Sequence, residues 1–300
     1  MLVPGPSGLE SKMDVIVTGL LLGGTYALIA MGLNLQYGMA RIMNLANGEM
    51  LVAGAFAAFW LYGAGQVSPF LTVVLVAPLA FALNWAIYMV FLGPLVKRAK
   101  SRGQLEVDAI LTTFGLSFVA VGIMLAVFGG DYFSYSYLSF PVALLGGTYG
   151  ANRLAAFVAA VAICGALYLW LNRSRPGMSI RAIAVAPDSA RLVGIDVGRL
   201  AALAFALGGA VTATGGALIS TFLTLDASTG VLFTLKALVI VIMGGVGDVR
   251  GTVVAALMLG LLETFVASVI DPGLTLAAAY LLFVTILLFR PQGLFGRKTA

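Results

Sequence analysis

The sequence has no histidine, a single cysteine and few charged residues. Charged residues make up 10% of the 300 residues, against roughly 25% in ordinary soluble proteins, which is too few to cover a water-facing surface. Without histidine the chain lacks the commonest metal ligand and general base. Cys164 has no second cysteine with which to form an internal disulfide, and its apolar surroundings suit a small buried residue. These absences argue against a catalytic or metal site and predict that the chain binds no cofactor.

Long apolar runs are what the sequence has instead. Apolar residues make up 61% of the chain, and about twenty of them in a row cross a bilayer as a helix. The 37 glycines suit helices that pack closely in lipid. Residues 1–300 are therefore predicted to form one all-α polytopic membrane domain with eight or nine transmembrane helices and glycine-interrupted breaks. The nine candidate segments, of which the second and seventh are short, are 14–37, 49–64, 69–93, 107–129, 152–171, 199–222, 232–247, 251–270 and 274–289.

The positions of lysine and arginine predict the orientation of the chain. They fall in short loops between apolar runs, where they determine topology, so the net charge of +5 does not indicate a nucleic-acid partner. Fourteen of the 17 face the cytoplasm if the amino terminus lies outside and the carboxyl terminus inside. Five of the arginines lie in the longest polar interval, between Leu171 and Arg199. This interval is then a cytoplasmic surface on which a soluble protein can dock.

Two polar, glycine-containing breaks interrupt the apolar runs. The first extends from Gln36 to Glu49 and the second from Gly244 to Gly251. Irregular backbone at membrane depth persists only where protein covers it or water reaches it, and short, glycine-interrupted segments indicate a transport path. In segment 6, small residues recur every four positions, which predicts a packing face, with the wall of a substrate path as the alternative. These residues are Ala204, Gly208, Thr212, Gly216 and Ser220.

Polar side chains within the apolar segments predict a route through the bundle. Such residues are costly in lipid and usually face a path or a partner helix. For each one alone, a hydrogen bond between helices is the simpler interpretation. Lys236 is interpreted as a residue that extends to the membrane interface. The predicted path residues are Asn34, Gln36, Asn47, Glu49, Asn84, Thr112 and Glu263.

Four stretches, in order along the chain, resemble a known family. MARIMNLANGEMLVAGAF (39–56) is similar to the NFAHGE signature of the permeases of branched-chain amino acid ABC importers, of the LivH type. RPGMSIRAIAVAPDSARLVGID (175–196) resembles the family's cytoplasmic loop that docks on the ATPase. IMGGVGDVRGTVVAALMLGLLE (242–263) resembles its GGLGSIPGA region, and FRPQGLFG (289–296) its RPxGLxG ending. The resemblance extends over nearly the whole chain.

The resemblance implies a non-catalytic transport subunit with several partners. In such importers two permease subunits form the pathway, and the second is expected here to be a related chain rather than a copy. Two cytoplasmic ATPases drive transport, and a periplasmic binding protein delivers the substrate. The chain would then lie in a bacterial inner membrane, surrounded by lipid, and switch access between the two sides.

The resemblance also implies that residues 172–199 form the ATPase-coupling loop. A short helix within about Pro187–Ile195 would sit in a groove of the ATPase. Pro187 suits an early helical position, Asp188 stabilises the first-turn dipole, and Gly194 provides a left-handed cap. The coupling residues are Arg181, Pro187, Asp188, Arg191 and Gly194.

Three alternatives stay open at the level of sequence. The solute is a branched-chain amino acid or another small polar molecule, since related permeases carry urea or amides. An ion-coupled secondary transporter would use Glu263 to bind its coupling ion. A membrane-embedded enzyme, the third alternative, would need a cluster of nucleophiles or metal ligands, and the sequence shows none.

Asn47 stands where the family commonly has histidine, and because asparagine cannot titrate, a proton-linked role is excluded there.

Overall fold

The structure is a computed structural model that describes residues 8–144 and 147–296. Within this part of the chain nearly all regular structure is helical. The helices are α1 (Gly8–Asn34), α2 (Asn47–Gly65), α3 (Pro69–Ile87), α4 (Gly93–Arg98), α5 (Arg102–Phe128), α6 (Ala151–Arg173), α7 (Arg175–Val185), α8 (Pro187–Leu192), α9 (Val197–Ile219), α10 (Gly230–Gly244), α11 (Val249–Val269) and α12 (Thr275–Phe289). A π-helical turn, Leu35–Met39, extends α1; a second, Tyr88–Leu92, joins α3 to α4; and a 3-10 turn, Pro272–Leu274, precedes α12.

The helices account for all nine predicted segments. By length and composition, seven helical stretches among the described residues can cross a membrane. The remaining two segments are α2 and α10, the two that the sequence marks as short. The prediction of an all-α polytopic membrane protein is therefore confirmed, and the chain is a multi-pass membrane protein.

Helix α9 is the centre of the bundle. Nearly all its residues are buried, and it packs against α1, α2 and α3. Glycine is required where α2 and α9 meet, because a Cβ on Gly216 would overlap the carbonyl oxygen of Leu51. A Cβ on Gly54 would in the same way overlap the carbonyl oxygen of Ala213. Every residue of the small-residue stripe of segment 6 is buried, which confirms that the stripe is a packing face.

Helices α5 and α12 lie at the edge of the bundle. Both expose large apolar side chains along most of their length, among them Leu111 and Phe118 in α5 and Leu281 and Leu288 in α12. Such surfaces are normal for a protein whose surroundings are lipid or another membrane subunit.

The first predicted break is shorter in the structure than in the sequence analysis. Gln36 belongs to the π-helical turn and Glu49 to the first turn of α2, so the irregular backbone covers only residues 40–46. Arg41 within it has a positive φ of 59°. The second break comprises residues 245–248, where Gly245 and Gly247 have φ values of 106° and 85° that favour glycine.

A segment near the carboxyl end, residues 290–296, packs onto the second break; we call it the strap. The backbone N–H of Leu294 donates to the carbonyl of Met243 at 2.8 Å, and that of Phe295 donates to Gly244 at 3.1 Å. These bonds satisfy carbonyl groups at the end of α10 that have no partner within the helix. The FRPQGLFG motif therefore completes the turn between α10 and α11.

A two-stranded hairpin closes the end of the bundle opposite α7 and α8. Strand β1 (Pro141–Leu144) pairs antiparallel with β2 (Gly147–Gly150), and α6 follows directly. Tyr149 of β2 donates its hydroxyl hydrogen to Asp14 at 2.7 Å, which ties the hairpin to α1. Burial and the hydrogen bond to Asp14 raise the pKa of Tyr149 to about 12, so the hydroxyl keeps its proton, and can donate to Asp14, at a higher pH than an ordinary tyrosine.

Candidate functional site

A buried polar cluster surrounds the first break. Gln36, at the end of α1, donates to the backbone carbonyl of Phe205 in α9 at 3.1 Å. Its carbonyl oxygen accepts a hydrogen bond from Asn44 at 2.9 Å, and Asn44 in turn accepts from the backbone N–H of Ala46. Both side chains are fully or almost fully buried. The break is therefore held by side chains rather than by regular backbone pairing.

Asn47 and Gly48 fix the start of α2 against α9 and α10. Thr212 of α9 donates to the amide oxygen of Asn47 at 2.9 Å. The backbone N–H of Gly48 donates to the hydroxyl of Thr234 in α10 at 2.8 Å. These hydroxyls satisfy groups at the first turn of α2 that have no partner within the helix.

Glu49, in the same first turn of α2, is a fully buried carboxylate. Its Oε1 accepts a hydrogen bond from Ser117 of α5 at 3.0 Å, whereas Oε2 has no hydrogen-bond partner. No ion pair with Glu49 is found among the described side chains. A buried carboxyl group with an unpaired oxygen and no counterion is costly, so its presence calls for a functional explanation.

Helix α5 reaches the cluster through Thr113 and Ser117, not through Thr112. The hydroxyl of Thr113 accepts from the backbone N–H of Leu45 in the break at 3.1 Å. Thr112, one residue earlier, is turned about 100° around the helix and is only half-buried. The hydroxyl of α5 that bonds to the break is therefore that of Thr113, the neighbour of the predicted path residue Thr112.

Asn34 connects the two breaks. Its amide oxygen accepts a hydrogen bond at 2.7 Å from the backbone N–H of Gly247, at the turn between α10 and α11. Gly38 also lies directly against Gly247, since a Cβ on Gly38 would overlap that residue's backbone. The two irregular segments that the sequence identifies separately are thus in contact.

Asn84 lies apart from this cluster, between α3 and α9. Its Nδ2 donates to the carbonyl of Ala80 at 2.8 Å, and its side chain fills the space beside Gly209. Its Oδ1 has no hydrogen-bond partner. The structure therefore places this predicted path residue at the contact between α3 and α9.

Glu263 belongs to a separate ion pair. Lys236 of α10 lies 2.9 Å from its Oε2, and the hydroxyl of Tyr26 donates to the same oxygen at 2.8 Å. The sequence analysis interpreted Lys236 as a residue that extends to the membrane interface; instead it turns toward Glu263 on the neighbouring helix. Opposite charges on consecutive apolar helices were the signal that could have predicted this pair.

All five buried side-chain polar atoms without a partner, among the described residues, belong to predicted path residues. They are Asn34 Nδ2, Asn47 Nδ2, Glu49 Oε2, Asn84 Oδ1 and Glu263 Oε1. Most buried polar groups in proteins are hydrogen-bonded, so such exceptions mark places where water, an ion or a ligand comes close. Three of the five, those of Asn34, Asn47 and Glu49, lie around the first break.

The polar interval between α6 and α9 contains two helices. Helix α7 packs onto the bundle through Ile180 and Ile183, which are buried. Helix α8 ends at Leu192, and Gly194 just beyond it has a φ of 79°, the left-handed conformation predicted for a cap. Arg181 donates to Asn172 at 2.7 Å, within the same interval. Of Asp188 and Arg191 the structure describes only that they belong to α8.

Arg41 connects this interval to the first break. Its guanidinium donates to the carbonyl of Ala184 at 2.8 Å and to that of Val185 at 3.3 Å. These are the last carbonyls of α7, where a cation is favoured by the helix dipole. A side chain of the first break is therefore hydrogen-bonded to the last turn of α7.

The bundle and its buried breaks define a multi-pass membrane permease. The chain belongs to the family described as branched-chain amino acid transport system, permease component, whose model matches residues 15–289. This confirms the resemblance drawn from the four sequence stretches.

Three relatives show the extent of the similarity. The chain is 28% identical to the high-affinity branched-chain amino acid transport system permease protein BraD of Pseudomonas aeruginosa, over 95% of this chain and 96% of that protein. It is 27% identical to the corresponding permease LivH of Escherichia coli strain K12, over the same shares of the two chains. The probable branched-chain amino acid transport permease protein LivH of Methanocaldococcus jannaschii is 24% identical, over 90% of this chain and 88% of that one.

Among solved structures, PsaBC from Streptococcus pneumoniae in complex with Fab covers 95% of this chain at 12% identity. The TM-score is 0.48, and 94% of that chain is covered. A similarity at this level does not bear on function.

Proposed function

We propose that the chain is the membrane permease subunit of an ABC importer for branched-chain amino acids. The observation that carries this proposal is the buried polar cluster at the first break, which places partnerless polar atoms inside an apolar helical bundle. The family match and the full-length relatives support the transport class. Catalysis of ATP hydrolysis would take place on a partner chain, and this subunit would itself be non-catalytic.

The partners and orientation follow from this proposal. Two cytoplasmic ATPases would drive a pair of permease subunits, of which the second is a related chain, and a periplasmic binding protein would deliver the substrate. The protein would lie in the bacterial inner membrane with its amino terminus outside and its carboxyl terminus inside. The distribution of lysine and arginine supports this orientation.

We also propose that residues 172–199 are the ATPase-coupling loop, with Arg181, Pro187, Asp188, Arg191 and Gly194 as its coupling residues. The exposed apolar side chains at its tip support this, because Val185, Leu192 and Val193 are 66%, 89% and 74% exposed on an otherwise polar interval. Exposed apolar groups rimmed by polar residues are typical of a docking surface. The ATPase would move α7 and α8 together, and Arg41 would pass this movement to the first break.

The path would include Asn34, Gln36, Asn47 and Glu49, the predicted residues that line the first break. Asn84 and Glu263 lie elsewhere in the bundle and would act at helix contacts. The ion pair weighs against the ion-coupled alternative, since Lys236 already neutralises the carboxylate of Glu263. A carboxylate that binds a coupling ion needs to be free of such a permanent counterion.

We expect Gly194→Pro to abolish co-purification of the ATPase with the permease. Proline fixes φ near −65°, which is incompatible with the observed 79°, so the chain leaving α8 would take another direction. Asparagine tolerates the left-handed conformation, and Gly194→Asn serves as the matched control that retains the ATPase. The measurement is affinity purification of the detergent-extracted permease with its bound subunits. Absence of an ATPase from the folded wild-type protein as well would overturn the importer proposal.

A second substitution tests the link between the loop and the break. Arg41→Ala removes the hydrogen bonds to Ala184 and Val185 without altering the tip of the loop. We expect ATPase binding and hydrolysis to persist while the amount of substrate transported per ATP falls about tenfold, which corresponds to loss of one or two charged hydrogen bonds. The exposed Arg173 provides the control, because Arg173→Ala removes a charge of the same interval. Equal transport by both variants would contradict this role of Arg41.

A further inference from the structure

Among the polar groups around the first break, the carboxylate of Glu49 is the least stabilised by neighbouring positive charges or hydrogen-bond donors. Its side chain is fully buried, and its carboxylate accepts one neutral hydrogen bond, from Ser117. Lys236, the basic residue of α10, is engaged with Glu263 and Tyr26. The described part of the chain therefore leaves half of this carboxylate without a donor.

The carboxylate faces the first residue of α10. A Cβ on Gly230 would lie 2.5 Å from Glu49 Oε2, so the carboxylate lies directly against the start of this helix. The positive end of the helix dipole favours an anion there, but it supplies only about half an elementary charge. Neither that dipole nor the hydroxyl of Ser117 replaces a full positive charge.

A small apolar cavity adjoins the face of α2 that carries Glu49, beginning one turn further along the helix at Val52. Residues 49, 52, 56 and 59 share this face, because they are separated by three or four positions. The cavity has a volume of about 10 Å³, and its lining includes Val52, Phe56, Phe133 and Leu225. In this state it has room for about one water molecule, so the structure shows the site closed.

Helix α5 contacts the carboxylate and, further along, one residue of the cavity lining. Ser117 bonds to Glu49, and near the other end of α5 the ring of Phe128 stacks on Phe56 with centroids 4.3 Å apart. The opposite face of α5 is exposed, with Phe118 at 64% and Ile123 at 59%. A small outward movement of α5 would therefore join the carboxylate and the cavity into one space without disrupting the core around α9.

We propose that Glu49 binds the α-ammonium group of the transported amino acid, whose aliphatic side chain lies in the apolar cavity beside Val52 and Phe56. This inference rests on the proposed function and names the chemistry that the path recognises. An ammonium group brings three donors and the missing positive charge, and it would replace Ser117 as the partner of the carboxylate. Urea and simple amides are neutral, so a site of this kind distinguishes amino acids from the other solutes that the sequence left open.

The first test is transport by the complete importer in proteoliposomes, with radiolabelled leucine as the probe. Glu49→Gln keeps the shape and the Ser117 hydrogen bond but removes the charge, and we expect leucine uptake to fall about 10- to 100-fold while the ATPase stays bound. Glu49→Asp restores the charge and should recover part of the uptake. Wild-type uptake by Glu49→Gln would overturn the proposal.

The second test does not depend on the ATPase. Val52→Cys in a Cys164→Ala background places a single thiol one turn from Glu49, within the cavity lining. We expect a trimethylammonium methanethiosulfonate to modify this thiol at least about tenfold faster than a sulfonate reagent, relative to their rates with a free thiol, because of the nearby carboxylate. In the Glu49→Gln background, the ratio of the two modification rates, each relative to the rate with a free thiol, should approach one.

The two outcomes separate the inference from the proposed function. A reagent ratio that Glu49→Gln leaves unchanged, or a thiol that neither reagent reaches, would overturn the assignment of Glu49 even if the importer is assembled and active. Failure of the wild-type protein to bind an ATPase would overturn the importer instead, while the charge preference measured at residue 52 would still describe the path.

Discussion

Gly216→Val is expected to prevent the protein from folding. Gly216 of α9 faces the backbone of α2, and a side chain there would overlap the carbonyl oxygen of Leu51. Overpacking in a rigid core costs about 1–3 kcal/mol when side chains can move aside, and more when the obstacle is backbone. Here the obstacle is the backbone of α2, which packs against the central helix α9, so the whole contact between α2 and α9 would have to separate.

Helix α5 offers a matched control for this substitution. A Cβ on Gly122 meets nothing within 4 Å, so Gly122→Val changes the same residue type in another apolar helix without a clash. The measurement is the yield of monodisperse protein after detergent extraction and size-exclusion chromatography. We expect full yield for Gly122→Val and almost none for Gly216→Val. Comparable yields for the two variants would show that α2 and α9 are not packed as closely as described.

Lys236→Met is expected to lower the free energy of unfolding by about 3–5 kcal/mol, the range for removal of one partner of a buried ion pair. The substitution leaves Glu263, which is 5% exposed, charged and without its cation. Tyr26 would remain as its only partner, through a single hydrogen bond. The variant should therefore unfold at a clearly lower temperature in detergent.

Two further variants show whether the loss of stability comes from the unpaired charge of Glu263. Replacing both partners, with Lys236→Met and Glu263→Met, removes the pair without leaving a charge, and we expect most of the stability to return. Lys97→Met removes an exposed lysine and should change the free energy of unfolding by no more than about 0.5 kcal/mol. Leucine transport by the double variant would also exclude Glu263 as an ion-coupling residue, whereas loss of transport in a stable double variant would restore the ion-coupled alternative.

The sequence predicted the spans well because lipid imposes one strong requirement. Backbone groups within a bilayer have to pair inside each segment, so apolar runs of sufficient length become helices. The same rule identified the two breaks, where glycine and polar residues interrupt the runs. The exact limits were less accurate, since the π-helical turn at 35–39 and the first turn of α2 extend regular structure into the predicted break.

The side-chain partners were much harder to predict. Asn34 and Glu49 were identified because polar residues are costly in apolar segments, and both have partnerless atoms in the structure. Thr112 stays a prediction, whereas its neighbour Thr113 bonds to the break; the sequence does not separate the two, because the rotation of α5 about its axis is set by packing rather than by its own sequence. The bond between Arg41 and the end of α7 joins residues 143 positions apart, which no local pattern indicates.

The strap also imposes an order on the biosynthesis of the protein. The carbonyls of Met243 and Gly244 receive their donors from Leu294 and Phe295, which are translated only after α11 and α12. Chains are made at roughly 5–20 residues per second, so the turn between α10 and α11 stays incomplete for several seconds after α10 has been synthesised. Asn34, which bonds to Gly247 in that turn, shares the delay. The contact that joins the two breaks is therefore among the last parts of the bundle to form, and a nascent chain that lacks the strap carries it unfinished.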